Sequence, residues 1–263
     1  MTGAPRSRRL LLLSLLAIVS IAPVLVLVAR GLAPAWRYPV LVPGFAGAMS
    51  SFALLRSPRL VDALLSSVTL AVTTGALSVV IGFVAGRAIW RAPARTRRLA
   101  AMAAFLPVIA PPVAFGVGVQ VLALRLGVGS SWPGVLLAHL VPASGYVTLY
   151  ILGALSAYDG ALEDEARTLG ATPWQVLLRV AIPVLRARLV EGAALGALVS
   201  WGQLSVTLLV GGAAVRTLPV ELLGFVRSGD DRLGAIAALL LALPPVVAFA
   251  LLERGARRTG VAT

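Results

Sequence analysis

Six stretches of about 20 residues or more carry no formal charge, and no other feature of the chain constrains its fold as tightly. Crossing roughly 30 Å of hydrocarbon at about 1.5 Å per residue takes a helix of that length. They run from Leu10 to Ala29, Ala63 to Gly86, Leu99 to Leu124, Gly134 to Tyr158, Gly192 to Val215, and Leu233 to Leu252. A closed barrel needs short alternating segments, which these continuous runs are not, so helices are the spanning structure that satisfies the backbone in lipid. The expected fold is an all-α membrane protein of six transmembrane helices, one domain over residues 1–263. Composition agrees: 59% of residues are hydrophobic, only 13% are charged and the mean hydropathy is +0.95.

Several chemistries are removed by what is missing. All 23 basic residues are arginine, so there is no lysine to hold nucleotide phosphates, form a Schiff base or act as a general base. Cysteine is absent and His139 is the single histidine, which leaves no thiolate and no imidazole-rich metal site. No catalytic residue, metal ligand or cofactor site is expected in this chain. The net charge of +13 does not indicate nucleic acid, because the arginines are scattered between apolar runs and form no basic face.

Arginine placement sets the orientation. With the amino terminus in the cytoplasm, the inner side holds three arginines before the first span, five from Arg87 to Arg98, four from Arg167 to Arg188 and three at the end. The outer side holds eight, among them Arg37, Arg56 and Arg59 in the long first outer loop. The bias places both termini in the cytoplasm. Arg6, Arg8 and Arg9 resemble the start of a signal peptide, but the apolar stretch after them exceeds the usual ~7–15 residues, so the first helix is expected to be retained.

The segment from Asp159 to Leu189, between spans four and five, reads as two short amphipathic helices. Asp159 can cap the first, and Glu163, Asp164 and Glu165 fall in its opening turns, where carboxylates oppose the positive end of the dipole. Leu162, Ala166 and Leu169 give it one apolar face, and Gly170 suits a left-handed stop. Thr172, Pro173, Trp174 and Gln175 then supply an N-cap, a first-turn proline and a capping-box partner. Trp174, Leu177, Leu178 and Ala181 form the second apolar face, and Pro183 is expected to end or kink that helix.

Asp164-Glu165-Ala166, Gly170 and Val180-Ala181-Ile182-Pro183 together resemble the EAA loop of binding-protein-dependent ABC importer permeases: Glu-Ala-Ala, three residues, Gly, nine residues, Ile-x-Leu-Pro. Gly170 and Pro183 match outright; Asp164 stands for the glutamate, Ala166 for the second alanine, Val180 for Ile and Ile182 for Leu. Glu165 departs, placing a third consecutive acid where the family has a small residue. Leu106-Pro107, Pro111-Pro112 and Thr217-Leu218-Pro219 are similar to permeases for polyamines, ferric iron, thiamine or phosphonates. The resemblance implies a type I ABC importer permease-like fold in the bacterial cytoplasmic (inner) membrane, forming half of a translocation path. Its coupling loop, centred on Leu162, Asp164, Glu165, Ala166, Gly170, Trp174, Val180, Ile182 and Pro183, would engage a separate ATPase. The implied partners are an ATPase dimer that holds ATP and Mg, a second permease, identical or distinct, and an extracytoplasmic solute-binding protein. A polyamine or similar small solute is the implied cargo, with ferric iron, thiamine and phosphonate as alternatives.

Along span five Gly192, Gly196, Ser200, Gln203 and Thr207 share one face. Close packing is the first expectation and path lining the second, with Ser200, Gln203 and Thr207 as path candidates. Pro111 and Pro112 are expected to distort span three and free carbonyls that line a cavity or simply kink the helix. His139 is read as a polar contact between helices, without a site. An ion-coupled secondary transporter would keep ionisable residues within its spans, and a membrane enzyme would need a cluster of acids or nucleophiles outside the loop; neither is present.

Overall fold

The computed structural model describes residues 6–33, 36, 39–45 and 49–258, with the side chains of residues 6, 7, 9 and 252–258 outside that description. Arg37 and the arginines at both chain ends therefore lie beyond the described side chains, except Arg8. The described residues form helices and no strand: α1 (Arg6–Leu32), α2 (Ser50–Leu54), α3 (Pro58–Arg91), α4 (Ala94–Ile109), α5 (Pro112–Arg125), α6 (Trp132–Ser156), α7 (Ala161–Thr168), α8 (Pro173–Val176), α9 (Ile182–Trp201), α10 (Ser205–Gly211), α11 (Leu218–Arg227) and α12 (Asp231–Arg258). The chain divides into two compact units, Met1–Leu64 with Leu218–Thr263, and Leu65–Thr217.

Among the described residues four helices are long and apolar enough to cross a membrane: Leu10–Leu32, Pro58–Arg91, Trp132–Ser156 and Asp231–Leu251. The expected third span is two helices, α4 and α5, bent by 99° at Ala110 and Pro111; counted as one, it makes five. Adjacent prolines cause the break, because neither offers an N–H and Pro111 disfavours helical backbone at Ala110. The expected span from Gly192 to Val215 is also divided. Helix α9 starts earlier, at Ile182, carries Arg186, Arg188 and Glu191 in its first half, and ends at Trp201; α10 resumes at Ser205. By contrast α12 runs through Pro244 and Pro245 without interruption.

In the first unit α1 and α11 both pack on α12. Three of its arginines are tied down. Arg30 pairs with Asp231, Arg59 pairs with the buried Glu221 while lying 4.9 Å over the Phe225 ring, and Arg232 donates to Ser50 Oγ at 2.8 Å and Ser51 Oγ at 2.5 Å.

In the second unit α6 is the spine, packed by α4 and α9. The inner part of α3 joins them through glycines, as small residues let helix backbones approach in lipid. A Cβ on Gly75 would sit 2.5 Å from the Ala193 carbonyl oxygen, and one on Gly196 would sit 2.0 Å from Ser78 Oγ. Gly192 likewise faces Val147 and Ile151 at ordinary contact distance, so the Gly192 and Gly196 part of the stripe is a packing surface.

Alanine normally gains about 1 kcal/mol over glycine within a helix, but overpacking costs about 1–3 kcal/mol. Gly75→Ala and Gly196→Ala should therefore both lower the melting temperature of the purified protein. Pairing Gly196→Ala with Ser78→Ala should recover stability, because a hydroxyl is the nearest obstacle there. Gly75→Ala should have no such rescue, since its obstacle is backbone. A melting temperature raised by either single change would contradict the packing described.

Candidate functional site

The loop after α6 folds much as its residues dictate. The Asp159 carboxylate accepts from Ala161 N–H at 2.9 Å, opening α7. Gly170, at φ +87°, takes the left-handed conformation that ends it. Thr172 and Gln175 then form the reciprocal capping box, with Pro173 in the first turn of α8.

From Leu177 to Ala181 the chain continues as a π-helical turn and flows into α9. Ile182 N–H reaches back to the Leu177 carbonyl, one residue further than in an α-helix. Pro183 supplies the reason. It lacks an N–H and its ring would collide with the carbonyl four residues back, and the wider turn removes that conflict. The expected end or kink at Pro183 is thus a change of pitch.

One acid of the loop is buried. Glu163 keeps only 2% of its side chain exposed, and three guanidinium groups converge on it. Arg87 Nη2 donates to Glu163 Oε2 at 2.8 Å while its Nη1 lies 2.7 Å from Oε1 without a hydrogen bond, and Arg91 and Arg167 donate to Oε2 at 2.6 and 3.0 Å. Burial alone would raise the pKa of this carboxyl; the hydrogen bond and charge of Arg87, joined by Arg91, outweigh burial and hold it below the ordinary 4.5. The contact joins α7 to the last turns of α3. Sequence reasoning placed Glu163 only at a helix dipole and used Arg87 and Arg91 only for topology; their spacing of four, which puts both on one face, was the available signal.

The remaining loop residues face outward. Leu169 is 88% exposed and Trp174 66%, with Leu162 and Leu178 also exposed, so these four have little cover among the described residues, whereas Leu177 and Ala181 of the second face pack inward. Asp164 and Glu165 are exposed beside them, and Asp164 pairs with Arg167 at 2.5 Å. Ala166, Val180 and Ile182 are half-buried, Gly170 and Pro183 exposed, while Val176 and Ala181 anchor the segment from within.

The path candidates lie at the two helix breaks. Ser200 and Thr207 are buried and flank the gap from Gly202 to Leu204, and both bind His139, which is fully buried on α6. The Thr207 hydroxyl donates to the Gln203 carbonyl at 2.7 Å, so its oxygen accepts from His139 Nε2 at 2.9 Å. That assigns the proton to Nε2 and leaves Nδ1 to accept from Ser200 Oγ at 2.8 Å. The ring therefore joins both sides of the gap. Gln203 is half-buried in the gap itself, and Pro111 and Pro112 are exposed at the other break. The two interrupted segments meet, because α5 packs on α10.

This arrangement is a helical membrane protein with an exposed, amphipathic loop between α6 and α9. Residues 78–260 match the family described as "Binding-protein-dependent transport system inner membrane component", and the chain belongs to it. It is a multi-pass membrane permease of a binding-protein-dependent ABC importer and not an enzyme. It is 30% identical over 203 residues to the "Putative 2-aminoethylphosphonate transport system permease protein PhnV" of Salmonella paratyphi A, covering 76% of each chain. It is also similar to the "Spermidine/putrescine transport system permease protein PotC" of Haemophilus influenzae (25% identical, 72% of this chain and 74% of that one). The "Putrescine transport system permease protein PotI" of Escherichia coli is 27% identical, over 74% and 73%. In fold it resembles a crystallised bacterial ABC transporter for import of the acidic polysaccharide alginate, at a TM-score of 0.65 and 17% identity over 96% of both chains.

Replacing Glu163 with glutamine keeps the shape and removes the charge that three guanidiniums face. Because Arg91 and Arg167 reach water, a loss near the lower end for a broken buried pair, about 3 kcal/mol, is expected. Amide exchange in Ala161–Thr168 should accelerate in Glu163→Gln while α12 is unaffected. The pH dependence has a fixed sign. A carboxyl whose folded pKa is depressed contributes stability above its ordinary value near 4.5, lost as pH falls through the folded value. Protection of α7 should thus fall on acidification in the native chain and depend less steeply on pH in Glu163→Gln, where only the Asp159 cap and the Asp164–Arg167 pair remain to be protonated.

Proposed function

We propose that this chain forms half of the translocation path of a type I importer and is driven through the loop Leu162 to Pro183, which docks on a separate ATPase dimer that binds ATP and Mg. The observation that carries the reading is the pairing of an uncovered apolar face, Leu162, Leu169 and Trp174, with a rigid internal anchor, Glu163 on α3. A plug of that kind can be gripped from outside and its displacement passed to a spanning helix. Asp164 and Glu165 add a negative rim, so the facing groove of the ATPase should be basic. Gly170, Val180, Ile182 and Pro183 set the elbow and its continuity with α9, and Ala166 lets α7 lie close.

A second permease of like fold completes the path, and an extracytoplasmic binding protein delivers the solute. Both termini face the cytoplasm; the arginine bias supports this, as does the pairing of Arg30, Arg59 and Arg232 with partners in the first unit, which relieves their cost on the outer side. The path is lined at the two breaks, by Gln203 with Ser200 and Thr207 framing it and by backbone freed at Pro111 and Pro112, as interrupted helices line the sites of other transporters. The cargo is a small charged solute, a polyamine first; the relative named for 2-aminoethylphosphonate supports a second reading that also carries a primary amine.

Charge reversal at the rim tests the loop. Asp164→Lys with Glu165→Lys should abolish solute-stimulated ATP hydrolysis in the reconstituted complex while leaving the permease folded and membrane-inserted. Uptake at the native rate would end the proposal. For cargo, calorimetry on the cognate binding protein should detect putrescine, spermidine or 2-aminoethylphosphonate, and selective binding of an uncharged sugar would exclude the amine reading.

A further inference from the structure

Beside the loop, a groove of about 810 Å³ runs along the inner part of α3. One wall is Val80, Phe83 and Val84; the other is Leu178, Ile182 and Leu189. Its end is basic: Arg87, Arg91 and Arg167 line it, and no acid does. The acids that reach these arginines are Glu163, buried behind them, and Asp164, which pairs with Arg167 alone. Three cations thus face two carboxylates, and Arg91 and Arg167 remain 46% and 43% exposed.

Length decides what fits. From Val79 to Arg91 the helix rises roughly 18 Å, close to one leaflet of a hydrocarbon core of roughly 30 Å. The groove is apolar over the depth of an acyl chain and cationic where a headgroup would lie, with Trp174, a residue type favoured at membrane interfaces, on its rim.

We propose that this groove is a binding site for one anionic phospholipid, its acyl chain between α3 and α9 and its phosphate against Arg91 and Arg167. The proposal requires only that the chain is membrane-embedded and does not depend on which ATPase or solute the importer uses. A lipid seated there covers the face of α3 that carries Arg87 and Arg91, so its departure exposes the cations that hold Glu163. Anionic lipid would then set how firmly the loop is anchored.

The test is native mass spectrometry of the full-length permease, purified in its native complex and titrated with dioleoylphosphatidylglycerol or dioleoylphosphatidylcholine. One phosphatidylglycerol should be retained selectively. Arg91→Gln and Arg167→Gln should each cut that preference about five-fold, the effect of one basic residue near an anionic surface. Val84→Trp, which fills the groove from the α3 wall and leaves Arg91 and Arg167 in place, should reduce retention of that lipid at an unchanged melting temperature. Equal retention of both lipids, or unaltered retention in Val84→Trp, would overturn the site. So would a photo-crosslinker at position 84 that captures a protein chain in place of lipid.

Discussion

A backbone inside hydrocarbon has no water to fall back on, so every place where a helix stops must be made good by groups already present. This chain interrupts its helices three times within the second unit, and each interruption has its own remedy. At Ala110 and Pro111 the prolines remove donors that would otherwise be orphaned. At Leu177 to Ala181 a wider turn admits Pro183, with Ile182 N–H reaching back to the Leu177 carbonyl. At Gly202 to Leu204 the Thr207 side chain takes the Gln203 carbonyl, and His139 ties the hydroxyls on either side.

The same logic governs charge. Glu163 is tolerable at 2% exposure only because Arg87 lies against it, donating from Nη2 to Oε2, and two further guanidiniums share the load. Such a contact adds little net stability compared with an apolar replacement, but it is specific: a carboxylate committed to Arg87 fixes where α7 sits relative to the end of α3. The exposed faces of the loop can then be unsupported by the rest of the chain without the loop losing its place.

Local rules were legible wherever one residue type has one use. Asp159, Gly170, Thr172 and Gln175 do in the structure what their chemistry predicts, since caps and left-handed stops act over a few residues. The length and apolarity of the spans showed the helical membrane fold, and Gly192 with Gly196 read correctly as packing. Long-range pairings were not legible in this way. His139 is 61 residues from Ser200 and 68 from Thr207, and nothing in the periodicity of α6 aims the ring at them. Glu163 has the same character: three acids in a row look equivalent until Arg87 and Arg91 select the one that points inward. Apolarity also concealed the breaks, because an uncharged run reads the same whether its helix is whole, as in α12, or folded back by 99°, as at α4 and α5.

These features bear on how force would travel under the proposed reading. A pull on the loop reaches α3 through Glu163 and α9 through the π turn, so two helices receive it at once. They are not free to respond separately: at Gly75 the α3 backbone lies within contact of the Ala193 carbonyl, and at Gly196 the α9 backbone closes on Ser78. Helices packed at that distance slide poorly, because any shift drives a side chain into a main chain, so α3 and α9 move as one body. The compliance is then left to the place where the helix is already interrupted, at Gly202 to Leu204. Histidine is well suited to span such a joint, since its two ring nitrogens hold Ser200 and Thr207 on opposite sides of the gap and limit the motion to a hinge between them.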